Sequence, residues 1–404
     1  MSADAPAVPA LSRPTVVAWR NAVFAVFAVN GLALATWMSR VPAVRDSLGA
    51  TTAEMGWIVF AIAVGSIVGL SSAGQVLAWA GSRRTIAGSV GVGALGLAIV
   101  GGGAAAAGHG AVVVLGLALL GAGMGMCDVA MNVEGAAAER ALGRTVMPLF
   151  HAAFSGGTIA GAALGALAEW GGVSTAAHFG AAGVVSGVIV LLSVRFLQLD
   201  ALGATTASSD EPQPGWRERL GMWGDRGTLL IGLIVLGMAF AEGSANDWLA
   251  LAMVDGHSVS NSTGAVIYGV FVTAMTAGRI LGVFFLDRFG RVPVLRATTA
   301  LAVLGLLIVI FVPSPAVATV GVVLWGLGAS LGFPVGMSAA ADDSRTATAR
   351  VSIVATIGYF AFLVGPPAIG FLGDAVGLLR ALILVLVLVA VAGLAAPSAR
   401  EKRT

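Results

Sequence analysis

Residues 111–140 read AVVVLGLALLGAGMGMCDVAMNVEGAAAER. The stretch begins apolar enough to lie in hydrocarbon, then runs without a break into Asp128, Asn132 and Glu134. A charge at the centre of a bilayer costs at least ~2.5–3.5 kcal/mol on insertion scales, so it is normally there for a purpose. The composition of the whole chain supports the membrane reading. Of 404 residues, 58% are hydrophobic and 10% are charged, against ~25% charged in an ordinary soluble domain. So few charges cannot clothe a water-facing surface. The 57 glycines also fit membrane helices, where Gly is frequent. The fold class expected is an all-α, multi-pass membrane protein.

A helix needs ~20 apolar residues to cross the hydrocarbon core. Twelve segments qualify, at roughly 21–38, 55–77, 85–106, 111–132, 147–169, 177–195, 228–249, 264–286, 292–312, 316–339, 351–372 and 378–396. Arginines orient them. With the N-terminus in the cytoplasm, 18 of the 22 basic residues fall on the cytoplasmic side, and the C-terminus lies there too. Arg40, Arg45 and Arg380 fall outside, and Arg279 lies within a span. Trp19, Trp79 and Trp170 sit at span ends, where interfacial aromatics belong. The expected layout is a cytoplasmic tail (1–19), a six-helix bundle (20–196), a polar cytoplasmic linker (197–227), a second six-helix bundle (228–397) and a short tail (398–404). A short amphipathic helix is expected around Trp216–Trp223. Residues 1–19 show no apolar signal core or cleavage site, so no removable signal peptide is expected.

The two halves repeat each other. GQVLAWAGSRR (74–84) follows span 2 and FLDRFGR (285–291) follows span 8; GAGMGM (121–126) lies in span 4 and GLGASLG (326–332) in span 10. Internal repeats of this kind mark secondary transporters, with the substrate site near the midplane between them. GAGMGM loosely resembles a nucleotide-binding loop, but no strand precedes it. Small residues there let membrane helices approach closely.

Twelve spans as six plus six, with a loop of the form G-x-x-x-D-R-x-G-R in each half, resemble the major facilitator superfamily. The second half carries the motif core as Asp287, Arg288, Gly290 and Arg291; the first keeps Gly74, Gly81, Arg83 and Arg84 but has Ala78 in place of the acid. CDVAMNVEG (127–135) with HAAFSGGTIAG (151–161), AFAEGSANDWL (239–249) and ATIGYFAFLVGPPAIGFLGD (355–374) resemble the fucose-permease-like sugar:proton symporters and their uncharacterised bacterial inner-membrane relatives. The resemblance implies two pseudo-symmetric bundles, alternating access, a monomer in the inner membrane, and proton coupling by an acid on span 4 placed four residues before an Asn. Asp128 and Asn132 match that pattern. Those symporters also use an acid on span 1, and this chain has none between Asn21 and Met38.

Asp128 and Asn132 share one helix face. A desolvated carboxyl favours its neutral, protonated form, which suits a proton carrier; the plainer role is a hydrogen bond to a neighbouring helix. Glu242 and Asn246 repeat the spacing on span 7. Glu242 is read as a second proton or substrate site, or as the partner of Arg279. Arg279 stays charged and can hold an anion, or it can snorkel or pair with an acid. Asn30, Trp37, His151, Tyr268 and Tyr359 complete the candidate cavity, each with packing as the alternative. Glu134 is expected to pair with Arg140 or Arg144 or to meet water, and Asp247 and Glu169 to be solvated near the outer surface. His109, His178 and His257 are read as inert end or loop residues. Pro366 and Pro367 are expected to kink or break span 11.

The function expected is secondary active transport of a small polar solute, by proton symport. Its rivals are proton-driven export of a drug or metabolite and a non-transporting receptor. Span 5 lacks the Gly-Pro motif of many such exporters, and no large signalling domain is visible. No nucleophile–base set points to an enzyme, and no cofactor is called for. The net charge of +2, with Lys402 the sole lysine, offers no nucleic-acid patch. One cysteine, Cys127, excludes an internal disulfide. The partners expected are the solute, protons and the lipid bilayer.

Overall fold

The computed structural model describes residues 11–105, 109–143, 146–200, 223–342 and 346–401. The expected linker and its amphipathic helix therefore lie largely outside the described residues. In chain order the helices are α1 (Arg13–Met38), α2 (Val41–Leu48), α3 (Thr52–Ala105), α4 (Gly110–Leu142), α5 (Met147–Trp170) and α6 (Thr175–Val194). The second half holds α7 (Arg226–His257), α8 (Asn261–Phe289), α9 (Arg291–Phe311), α10 (Pro315–Ala329), α11 (Gly332–Ala340), α12 (Ala347–Val376) and α13 (Leu378–Ala395). Eleven of the described helical segments are long and apolar enough to cross a membrane. The 54-residue α3 would be ~80 Å long as one rod, far beyond a ~30 Å core. It breaks at Gly81, whose φ of 77° and ψ of 170° are non-helical, and so supplies spans 2 and 3. α10 and α11 together form span 10, and α12 and α13 are spans 11 and 12.

Helix ends follow from local chemistry. Ser12, Ser174, Asp225 and Ser260 accept a backbone N–H from the first turns of α1, α6, α7 and α8, satisfying donors that have no partner inside the helix. Gly49 and Gly143 stop α2 and α4 in the left-handed conformation. α1 begins at Arg13, inside the segment expected as a tail. Pro366 and Pro367 do not interrupt α12; Gly56 of span 2 lies directly against both, so a neighbouring helix supports the backbone they disturb. Spans 2 and 4 pack through small residues: a Cβ on Gly65 would lie 2.0 Å from the Ala118 carbonyl oxygen, and one on Gly121 2.1 Å from that of Ile62.

The seam between the first and second halves of the chain is uneven. At the end carrying α2, Arg45 pairs with Asp255 at 2.5 Å, Asn261 donates to Asp46 at 3.0 Å, and the Tyr268 hydroxyl donates to the Met38 sulfur. Burial works against the Arg45 charge, but Asp255 and Asp46 outweigh it and hold its pKa above the usual guanidinium value. The main apolar core joins the halves at this end, through Trp37, Val41, Trp248 and Phe271. At the other end, Trp19, Phe27, Ile86 and Phe150 belong to a separate core confined to the first half. Among the described residues, no hydrogen bond or ion pair joins the halves there.

Candidate functional site

Asp128 lies in the middle of α4 and is exposed. Asn132, one turn on, donates through Nδ2 to the Asp128 backbone oxygen at 2.8 Å and to its carboxylate at 3.3 Å. The helical spacing read from sequence therefore holds the two side chains together. The Asp128 charge acts on His151 of α5 and on Tyr359 of α12, both exposed. His151 in turn senses Arg279 of α8. Groups from both halves thus lie within electrostatic reach of one another across the seam.

Arg279 donates from Nη2 to both oxygens of Glu242, at 3.0 Å each, and points Nε at the Ser330 carbonyl at 3.4 Å. The Arg279 side chain is 36% exposed against 18% for Glu242. The guanidinium is thus the more open partner, with donors to spare for an anionic or hydroxyl-bearing ligand. The set can hold a proton on a carboxylate beside an imidazole, and can orient a polar solute against an internally neutral ion pair.

Asp128, Asn132, His151, Tyr359, Glu242 and Arg279 therefore come together. Asn30 and Trp37 do not join them in this conformation. Asn30 is buried with its amide against the Met131 sulfur, and Trp37 is fully buried, tilted against Phe179. Tyr268 is buried at the α2 end and reaches Asn246 at 3.4 Å.

Several local expectations give way. Glu134 does not pair with Arg140, and Arg144 lies outside the described residues. Glu134 has no exposed surface, accepts the Trp19 indole N–H at 2.6 Å, and accepts the Ser82 hydroxyl. Trp19 is therefore buried rather than interfacial, whereas Trp79 and Trp170 are exposed. Glu139 caps the next helix, accepting the N–H groups of Val146 and Met147 at 2.6 Å each. Glu169 pairs with the buried Arg40 at 3.0 Å instead of standing in water. Asp247 is part-buried and acts on Tyr268. His257 ends α7 with Nε2 3.0 Å from the Val309 carbonyl, and His178 is buried in α6. In each case the partner is distant in sequence or appears only once a helix end is placed.

The loop motifs keep the register that sets Ala78 against Asp287. Gly81 and Gly290 share their backbone geometry, with φ and ψ of 77° and 170° against 75° and 173°. The counterpart of Arg291 is then Ser82, not Arg83 or Arg84. Gly74 stands in open space. Sequence reading missed Asp200 and Glu401, which approach these corners from beyond spans 6 and 12. They lie 118 and 110 residues from the helix starts they cap, so no local sequence signal pointed to them. Among the described residues, no group of three His, Cys, Asp or Glu could hold a metal.

Residues 23–352 match the family profile described as Major Facilitator Superfamily. The chain belongs to that superfamily. It is 31% identical over 349 residues to an uncharacterised MFS-type transporter of Yersinia pestis, covering 86% of this chain and 87% of that one. Its fold resembles a mutant of the nucleoside transporter NupG, with a TM-score of 0.73 at 13% identity, covering 95% of this chain and 99% of that one. It also resembles a variant of the E. coli fucose:proton symporter FucP, with a TM-score of 0.63 at 18% identity over 96% of this chain and 100% of that one. At these identities the structural likeness concerns the fold. The chain is a multi-pass membrane transporter of the superfamily, which works by secondary transport and not as an enzyme.

Proposed function

We propose that the protein is a proton-coupled symporter that imports a small polar solute across the inner membrane. It works as a monomer by alternating access between two pseudo-symmetric six-helix halves (20–196 and 228–397), joined by a cytoplasmic linker. The arginine distribution puts both termini in the cytoplasm. The contacts around α2 then close the outer side, and the space before Asp128 opens inward. Asp128 is the proton carrier, with the His151 imidazole within its electrostatic reach. Arg279 and Glu242 bind the solute from the opposite half, aided by Asn132 and Tyr359; Asn30, Trp37, Asn246 and Tyr268 join when the outer side opens. The Gly81 and Gly290 corners brace the inner side. One observation carries this reading: Asp128 of span 4 and His151 of span 5 lie within electrostatic reach of Tyr359 and Arg279 of the other half.

The test begins with a thermal-shift screen of purified protein against sugars, nucleosides, amino acids and organic acids. A hit is then followed into proteoliposomes with an imposed pH gradient. Asp128→Asn should abolish gradient-driven accumulation while keeping exchange of labelled solute across the membrane. Accumulation that survives in Asp128→Asn at the wild-type rate overturns the assignment.

A further inference from the structure

Two grooves open on the flanks of the molecule, one in each half. The first, about 360 Å³, lies between spans 2 and 3 on span 4 and is lined by Val76, Trp79, Arg84, Gly88, Val92 and Met126, among others. The second, about 500 Å³, lies between spans 8 and 9 on span 10. Counted in step from Gly81 and from Gly290, Arg84, Thr85, Gly88, Ser89 and Val92 of the first groove fall on Pro293, Val294, Ala297, Thr298 and Leu301 of the second. The same five register positions line both, so the groove belongs to the helix packing and not to one chance gap.

The mouths differ in charge. At the first, Arg84 is exposed and has no hydrogen bond or ion pair among the described residues, while Arg83 beside it turns inward to the Leu197 carbonyl. Trp79 on the same rim is 87% exposed. Ala78 stands where the second groove has Asp287, and Pro293 stands where the first has Arg84. Among its described lining residues, the first groove thus offers a cation without an acid. The second offers Asp287 and Arg288 side by side, both exposed.

We propose that the groove between spans 2 and 3 binds an anionic phospholipid. An acyl chain lies along Gly88, Val92 and Met126, and the phosphate meets the Arg84 guanidinium, whose forked donors match phosphate oxygens. Trp79 sits at the headgroup level, where indoles are favoured. Among the described residues that line the groove there is no acid for an ammonium headgroup, and Asp200 at the neighbouring corner is engaged by the Ser82 and Arg83 N–H groups, which selects a glycerol-type anionic lipid over a zwitterionic one. The missing acid at position 78, a departure in the loop motif, thereby becomes a source of lipid selectivity. This site is independent of the proton role of Asp128.

The full chain in detergent, mixed with phosphatidylglycerol, phosphatidylethanolamine or phosphatidylcholine of equal chain length, tests the proposal by native mass spectrometry and thermal shift. Phosphatidylglycerol should be retained best and stabilise most. Arg84→Gln should weaken its retention roughly five-fold, as expected for one basic group at a lipid surface, and Arg84→Lys should restore part of it. Gly88→Leu should also displace the lipid with Arg84 intact, because a Cβ at Gly88 meets nothing within 4 Å and the side chain projects into the groove without disturbing the fold. Arg288→Gln should change nothing. The proposal fails if Arg84→Gln retains phosphatidylglycerol like wild type, if Arg288→Gln loses it equally, or if phosphatidylethanolamine binds as well.

Discussion

The corners at Gly81 and Gly290 have one backbone and two chemistries. In each, an acid from beyond the last span of its half caps the helix that leaves the corner. Asp200 accepts the N–H groups of Ser82 at 2.7 Å and Arg83 at 3.2 Å, and Glu401 accepts that of Arg291 at 3.4 Å. In each, a second acid arrives from the end of span 4 or span 10: Glu134 on one side, Asp342 on the other. The second-half corner settles its two acids with a cation, since Arg291 lies 2.7 Å from Asp342 and 4.0 Å from Glu401. Among the described residues, no base pairs with either acid of the first-half corner, where the Arg83 guanidinium turns to the Leu197 carbonyl instead. The Ser82 hydroxyl lies between Glu134 and Asp200, and the Trp19 indole takes the remaining Glu134 oxygen. Burial explains the choice at the second acid. Glu134 is 0% exposed and Ser82 is 1%, whereas the Asp342 and Arg291 side chains are 21% and 18% exposed. The capping acids Asp200 and Glu401 are exposed at both corners. A dry corner rewards short, satisfied hydrogen bonds, while a wet one tolerates a screened ion pair.

The largest test of that contrast is Glu134→Ala. It strips the buried Trp19 indole N–H of its partner and leaves the Ser82 hydroxyl with Asp200 alone, at a cost of up to about 3 kcal/mol. Thermal unfolding in detergent should fall by several degrees. Glu134→Gln, which keeps a carbonyl acceptor, should lose less than half as much. A Glu134→Ala variant as stable as wild type would refute the dry-corner account.

The glycines come next. Both corners need a strongly positive φ with extended ψ, a region essentially closed to residues with a Cβ at a cost of ~1–3 kcal/mol. Space separates them. A Cβ at Gly81 would sit 2.9 Å from an Asp200 carboxylate oxygen, while one at Gly290 would sit 3.4 Å from Glu401, an exposed side chain that can move away. Gly81→Ala should therefore destabilise more than Gly290→Ala, by about 1 kcal/mol, the order of losing one helix cap. Equal effects would mean that the Asp200 cap contributes little.

Sequence could reach part of this. Apolar runs of membrane length and arginine spacing suffice for twelve spans, because hydrocarbon admits few other solutions. The Asp128–Asn132 contact was legible, since one helical turn fixes it. Glu242 and Arg279 stood out as buried charges, and their pairing could be named as one option; only the packing of α7 on α8 brings them to 3.0 Å. Glu134 was not legible. Its partners lie 115 and 52 residues away, so a local reading assigned it to the nearest arginines. The loop motif was legible in register, since Ala78 set against Asp287 already puts Gly81 on Gly290 and Ser82 on Arg291; the partners of Ser82 were not.

The smallest effect expected is at the ionic corner. Arg291→Ser gives the second half the residue of the first, but without a buried tryptophan to complete it. The pair with Asp342 is lost, and with it at most about 1 kcal/mol, because partly exposed ion pairs contribute little net stability. The loss should shrink as salt rises from about 0.05 M to about 0.5 M, since screening already weakens the wild-type pair. Glu134→Ala, by contrast, should cost the same at every salt concentration, because neutral donors to a buried oxygen are not reached by mobile ions. Salt dependence therefore separates the corners better than magnitude does: a salt-sensitive Glu134→Ala, or a salt-insensitive Arg291→Ser, would show that burial does not divide these two chemistries.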